Sequence, residues 1–214
     1  MSGALALRAK LAALRRSSSG AALMEFALCL PFFVGVGMYG VEVASMAMAN
    51  MQVSQLAISV ADNASRMEQT NNNAVTPTVT EADIDSVMTG ALREGESFGF
   101  QRNGRIILSS LERRTNGQQF IRWQRCRGAL AATSDYGGPG TTVTGLGAGG
   151  TQVRANANSA VMFAEVVYVY KGIFGNMFVK DTTFRQESAF IIRDVRNLEA
   201  GVTGTNGNSS CAST

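Results

Sequence analysis

The sequence predicts an α+β protein. A long N-terminal transmembrane helix runs on into an exported domain, where a second helix accompanies an antiparallel sheet of about five strands. Three observations predict this. Residues 26–41 carry no formal charge and lie behind a basic prefix. Residues 53–64 continue with apolar side chains at helical spacing. The rest of the chain holds Asn-Gly turns between runs rich in Val, Ile, Phe and Tyr.

The prefix, residues 1–20, holds Arg8, Lys10, Arg15 and Arg16 and no acid. The net charge of the 214-residue chain is +3, so the remainder is close to neutral at −1. The basic balance therefore comes from the prefix and argues for no nucleic-acid partner. Positive flanks resist translocation, which keeps this end in the cytoplasm and sends the C-terminal part outward.

Residues 21–69 form the second division. The uncharged stretch from Phe26 to Val41 covers about 24 Å of helix. Adding Ala21–Met24 and Val43–Ala49 gives ample length for a hydrocarbon core of about 30 Å. A cleaved secretory signal has a shorter apolar stretch, so a lasting anchor fits better. Pro31 removes one backbone donor early in the span. Gly40 and Ala44, four residues apart, offer a small-residue face for close helix packing, and Pro31 and Glu42 are grouped with them as candidate packing residues of the membrane helix. Cys29 reads as a packing residue. Val53, Leu56, Ala57, Val60, Ala61 and Ala64 then mark one amphipathic face, so a helix of about 45 residues is half membrane-length and half packed on a domain. Thr70–Asn73 reads as its terminator.

Residues 70–200 form the exported domain. Thr80-Glu81-Ala82-Asp83 matches a capping box. Ile84, Val87, Met88, Ala91 and Leu92 extend it into a helix of about 14 residues. Glu81, Asp83 and Asp85 read as a solvated, acid-rich helix start. Asn103-Gly104 and Asn116-Gly117 are hairpin signals. They delimit three expected strands: Ser97–Arg102, Arg105–Arg113 and Gln118–Cys126. Ile107 and Trp123 are candidate core residues. Val161–Tyr170 reads as a central strand, with Glu165 an edge or paired charge, and Phe184–Arg193 as the last strand.

Residues 127–159 are rich in Gly, Ala, Ser and Thr. Gly145–Gly150 fits GxGxxG formally, but no strand leads in and no helix follows, so a flexible surface loop is expected. Lys171–Phe178 combines Gly172, Gly175 and Asn176 with Ile173, Phe174 and Phe178. It reads either as an apolar tip for the membrane or a partner, or as a loop folded on the core. The tail, 201–214, is expected to be flexible unless Cys211 ties it down. Cys126 and Cys211 can form a disulfide in an oxidising compartment, with two free thiols as the alternative.

Catalysis is not expected. The chain has no His, and no nucleophile motif or metal-ligand cluster stands out, so no cofactor or metal is assigned. A membrane-tethered hydrolase or a surface adhesin would each need features that the sequence does not supply.

Glu25 stands apart. It is a carboxylate near the start of an apolar span, five residues after the Gly that closes the cationic prefix. An intramembrane acid is expensive and reads as functional. The run Gly20-Ala21-Ala22-Leu23-Met24-Glu25-Phe26-Ala27-Leu28-Cys29-Leu30-Pro31, continuing to Glu42 and Arg66, resembles type IV prepilins. More closely it resembles the TadE-like minor pilins and pseudopilins of Tad pilus assembly. The resemblance covers residues 15–66 and is weaker over residues 161–193.

It implies a pilin-like fold and a non-enzymatic, structural role in building a Tad-type pilus at the bacterial inner membrane. It also implies cleavage between Gly20 and Ala21 by a prepilin peptidase. Glu25, beside Phe26, would then pair with the new N-terminal ammonium of a neighbouring subunit. The implied partners are other pilins, the inner-membrane platform and the peptidase, with the C-terminal domain in the periplasm. An unprocessed single-span accessory protein is the alternative.

Overall fold

The structure, a computed structural model, describes residues 19–67, 76–148, 150–205, 207 and 209–211. The basic prefix up to Ser18 and the expected breaker at Thr70–Asn73 lie outside the described residues.

Helix α1 runs Ser19–Ala64, 46 residues with Pro31 inside it. Its length is about 69 Å. It is the one described helix long and apolar enough to cross a membrane, and its most apolar stretch is unburied, unlike the core helix of a soluble protein. From Ala49 onward the helix turns one face inward. Val53, Leu56, Ala57, Val60, Ala61 and Ala64 are all buried, matching the amphipathic spacing.

Helix α2, Glu81–Glu94, starts on the expected capping box: the Asp83 N–H donates to Thr80 Oγ1 and the Thr80 N–H donates to Asp83. A sheet of five antiparallel strands follows, in the order β3-β2-β1-β4-β5. Its strands are β1 (Gly104–Arg113), β2 (Gln119–Arg127), β3 (Thr142–Val143), β4 (Ala160–Tyr170) and β5 (Thr182–Ile191). Asn116-Gly117 does turn the β1–β2 hairpin, with Gly117 at φ 89°. Helices α1 and α2 cover one face of the sheet, over Ile106, Leu108, Trp123, Met162, Ala164 and Val166. Ile107 is buried as well.

Several expectations are corrected. Ser97–Arg102 is not a strand. It forms a 3-10 turn (Gly95–Phe98) and a short helix α3 (Phe100–Asn103), so Asn103-Gly104 is a helix-to-strand junction rather than a hairpin. The cause is Phe100, whose ring is fully buried between two glycines. A Cβ at Gly95 or Gly104 would fall 2.6 or 2.3 Å from it.

The Gly-rich stretch is not a loose surface loop. It packs across the second face of the sheet, where Leu146 and Ala155 join Leu111, Ile121, Val161 and Phe163, and it contributes β3. Of the two readings of Glu165, the edge is excluded because β4 is an interior strand, and the paired charge holds: Arg185 meets it at 2.7 Å. The last strand begins two residues earlier than expected. The described part of the tail is tied down: Cys126 and Cys211 are bridged, with Cα atoms 4.7 Å apart, and Thr203 pairs with Thr80.

Candidate functional site

The residues expected to carry function all lie on α1, and they separate into two sites. Gly20, Ala21, Glu25 and Phe26 occupy its first two turns, all exposed. Phe26 is 62% exposed. Among the described residues, nothing within the chain donates a hydrogen bond or an opposite charge to Glu25. Pro31 and Cys29 are also exposed, so Cys29 is not a core packing residue among the described residues.

Glu42 is treated in the opposite way. It lies seventeen residues along the same helix, about 26 Å away, and its side chain is wholly buried. Oε1 accepts from the Tyr170 hydroxyl at 2.7 Å and from the Ile173 N–H at 3.2 Å. Oε2 accepts from the Phe174 N–H at 3.1 Å. The segment that follows β4 therefore wraps round the carboxylate. Gly172 permits this approach, because a Cβ there would sit 2.5 Å from the Gly175 oxygen and 3.0 Å from Glu42 Oε1. Burial, and then the hydrogen bond to Glu42, push the Tyr170 phenol up to about 12. Three donors aimed at a buried carboxylate offset part of its cost of leaving water.

The structure divides the expected packing set of Pro31, Gly40, Glu42 and Ala44. Gly40 and Ala44 lie together on the exposed side, with open space where a Cβ of Gly40 would project. Glu42 points away from them into the domain. Tyr170, Gly172 and the two loop amides are the partners that sequence reasoning missed. The only signal was that an acid in an apolar segment demands donors.

A second carboxylate centre lies on the other face of the sheet. Glu165 is fully buried and accepts from Ser134 Oγ at 2.5 Å, Arg185 Nη1 at 2.7 Å and the Asp135 N–H at 3.2 Å. Burial pushes its carboxyl up, against those three donors, which act to lower it. Glu187 accepts from Tyr136 at 2.8 Å and from the Ala148 N–H at 3.0 Å. Together these bonds fasten the Gly-rich layer to β4 and β5. Carboxylate oxygens of Asp135, Glu165 and Glu187 lie within 4.8 Å of one another, close enough to hold a cation. Arg185 already meets Asp135 and Glu165 there.

The acids at the start of α2 are not simply solvated, as expected. Glu81 pairs with Arg125 and Asp85 with Arg127. These pairs join the helix to β2.

The fold and these sites define a class: an α+β domain built on one apolar helix that is consistent with single-pass membrane anchoring. No family model, curated protein or solved structure matches the chain.

Proposed function

We propose that the chain is a TadE-like minor pilin or pseudopilin, cut between Gly20 and Ala21 and active in assembling a Tad-type pilus from the inner membrane. The observation that carries this reading is Glu25. It is an exposed acid at membrane depth, with no partner in its own chain among the described residues. A carboxylate in low dielectric needs a cation or donors. The ammonium of a neighbour's freshly cut Ala21 supplies both. Glu42 is the contrast, an acid whose donors come from its own chain.

The outward face of α1 lends support. Past the bilayer length, Ala44, Met48, Met51 and Ile58 repeat at helical spacing and stay exposed, the last three by 57%, 61% and 49%. A face that stays apolar in water suits packing against helices of other pilins. Covering the remaining exposed half of Met48, Met51 or Ile58 contributes about 1 kcal/mol each. The pilin reading gives the chain no catalytic task; it is the substrate of the prepilin peptidase.

The intact mass of protein extracted from membranes tests this. A chain beginning at Ala21 is expected. A full-length mass in piliated cells would replace the reading with an unprocessed anchor. Glu25→Ala should abolish piliation while leaving the protein in the membrane, and unchanged piliation would remove the pairing role.

A further inference from the structure

We propose that the loop from Lys171 to Lys180 is a second membrane contact, seated in the phospholipid leaflet around the outer end of α1. This rests on α1 being the span and not on the pilin reading. Ala21 to Val41 cover about 31 Å, which matches the hydrocarbon core and places Glu42 at its outer boundary. Apart from Gly35 and Met38, which are half-buried, the residues from Leu23 through Val41 are exposed.

The loop is fastened at that boundary. Its Ile173 and Phe174 amides and the preceding Tyr170 hydroxyl all close on Glu42. Phe178 then reaches one turn further toward the span and meets Tyr39 edge to face, with centroids 6.1 Å apart. Phe174 stacks edge-on against Phe178 in turn. An aromatic cluster of Tyr39, Phe174 and Phe178 therefore lies where the apolar core gives way to headgroups, the depth that aromatic rings favour.

The rest of the loop projects outward. Ile173 is 60% exposed and Met177 71%, and Lys171 and Lys180 at either end are exposed as well. The pinned amides are satisfied from inside, so these two leave no open donor to the lipid. Ile173 and Met177 enter the boundary between headgroup and acyl chain, while the lysines carry their charges up to the phosphates. The contact is imposed by geometry: a loop hydrogen-bonded to Glu42 and in ring contact with Tyr39 is held at the surface while the helix spans. It would fix the domain's tilt on the bilayer.

The test uses the full chain with Cys29→Ser, reconstituted into phosphatidylcholine–phosphatidylglycerol vesicles. Spin labels are placed through Ile173→Cys, Met177→Cys, Phe33→Cys and Asn116→Cys, one at a time. Power saturation then compares access of oxygen with access of a water-soluble nickel chelate. The oxygen preference at 173 and 177 should exceed that at 116 severalfold and approach that at 33. A label at 177 as aqueous as the one at 116, with 33 in lipid, overturns the inference and leaves the span intact. A label at 33 that is aqueous removes the span itself. A label at 177 that loses the nickel reagent only at high protein density assigns the loop to a second copy of the chain and also overturns it.

Discussion

Replacing both Cys126 and Cys211 with Ser opens a covalent loop with a sequence separation of 85. In the chain-entropy view, a loop of that length stabilises by about 4.5 kcal/mol, and delivered values usually fall to about 2–4 kcal/mol. The native state should change little, because the tail is also held by backbone bonds. The Cys126 N–H donates to the Ser209 oxygen at 2.7 Å, the Thr203 N–H to Val79 and the Glu81 N–H to Thr203, both at 2.9 Å. The loss therefore falls on the unfolded side of the balance. For a chain of this size one kcal/mol shifts the midpoint by roughly 2–4 °C, so the double variant should melt about 5–15 °C lower. Thermal unfolding of the full chain in detergent, followed by circular dichroism without reductant, measures it. A midpoint shift under about 3 °C, or three free thiols in the unreduced wild type, would refute the reasoning.

Three further outcomes are expected. Tyr136 and Tyr170 are pushed up to about 12, so their protonated forms contribute stability that is full below 10.0 and lost as pH rises through about 12. Tyr170→Phe should delete one phenolate from the latest phase of an absorbance titration, and an unchanged late phase would count against the Glu42 bond. Gly172→Ala overpacks the loop against Glu42 at a cost of about 1–3 kcal/mol. Exchange of the Ile173 and Phe174 amides should then quicken by roughly one to two powers of ten, and unaltered protection would mean that the loop yields freely. Met51→Glu should leave the melting temperature unchanged and block incorporation into pili; normal incorporation would clear this face of an assembly role.

Much of the fold was legible because its elements are locally consistent. Helix α2 follows from Thr80 and its apolar spacing, β1 and β2 from the Asn-Gly pairs that bound them, and β4 from its dense run of Val, Phe and Tyr. Where the reading failed, local pattern and tertiary packing disagreed. Phe98 and Phe100 alternate with Ser97 and Gly99 as a strand would. Yet Gly99 has φ 67°, and it ends one helical turn and starts the next. The space for the Phe100 ring comes from Gly95 and Gly104, which only the folded chain brings together. The Gly-rich layer was missed for a related reason. Its apolar residues, Tyr136, Val143, Leu146, Val153 and Ala155, are too sparse to make a period, yet they pack on the second sheet face over Leu111, Ile121, Val161 and Phe163. Sparse apolar residues on an irregular backbone leave no periodic signature.

The site was legible as far as single residues go and no further. Glu25 and Glu42 look alike in the sequence, each an acid in an apolar context. Their environments differ by a complete set of donors: Glu42 has a hydroxyl and two amides, and Glu25 has nothing in its own chain among the described residues. An acid already bonded loses those donors if it turns outward, so Glu42 is committed to shape. An unbonded acid at membrane depth gains from any cation that reaches it, which favours association. The same helix thus separates two tasks about 26 Å apart. One carboxylate fixes the domain to its anchor; on the pilin reading proposed above, the other is left for a second molecule. Exchanging their chemistry should expose the difference: Glu42→Gln should loosen the loop and leave assembly possible, while Glu25→Gln should leave the fold unaltered and halt assembly. Equal effects of the two substitutions on both readouts would mean that the division of labour is not real.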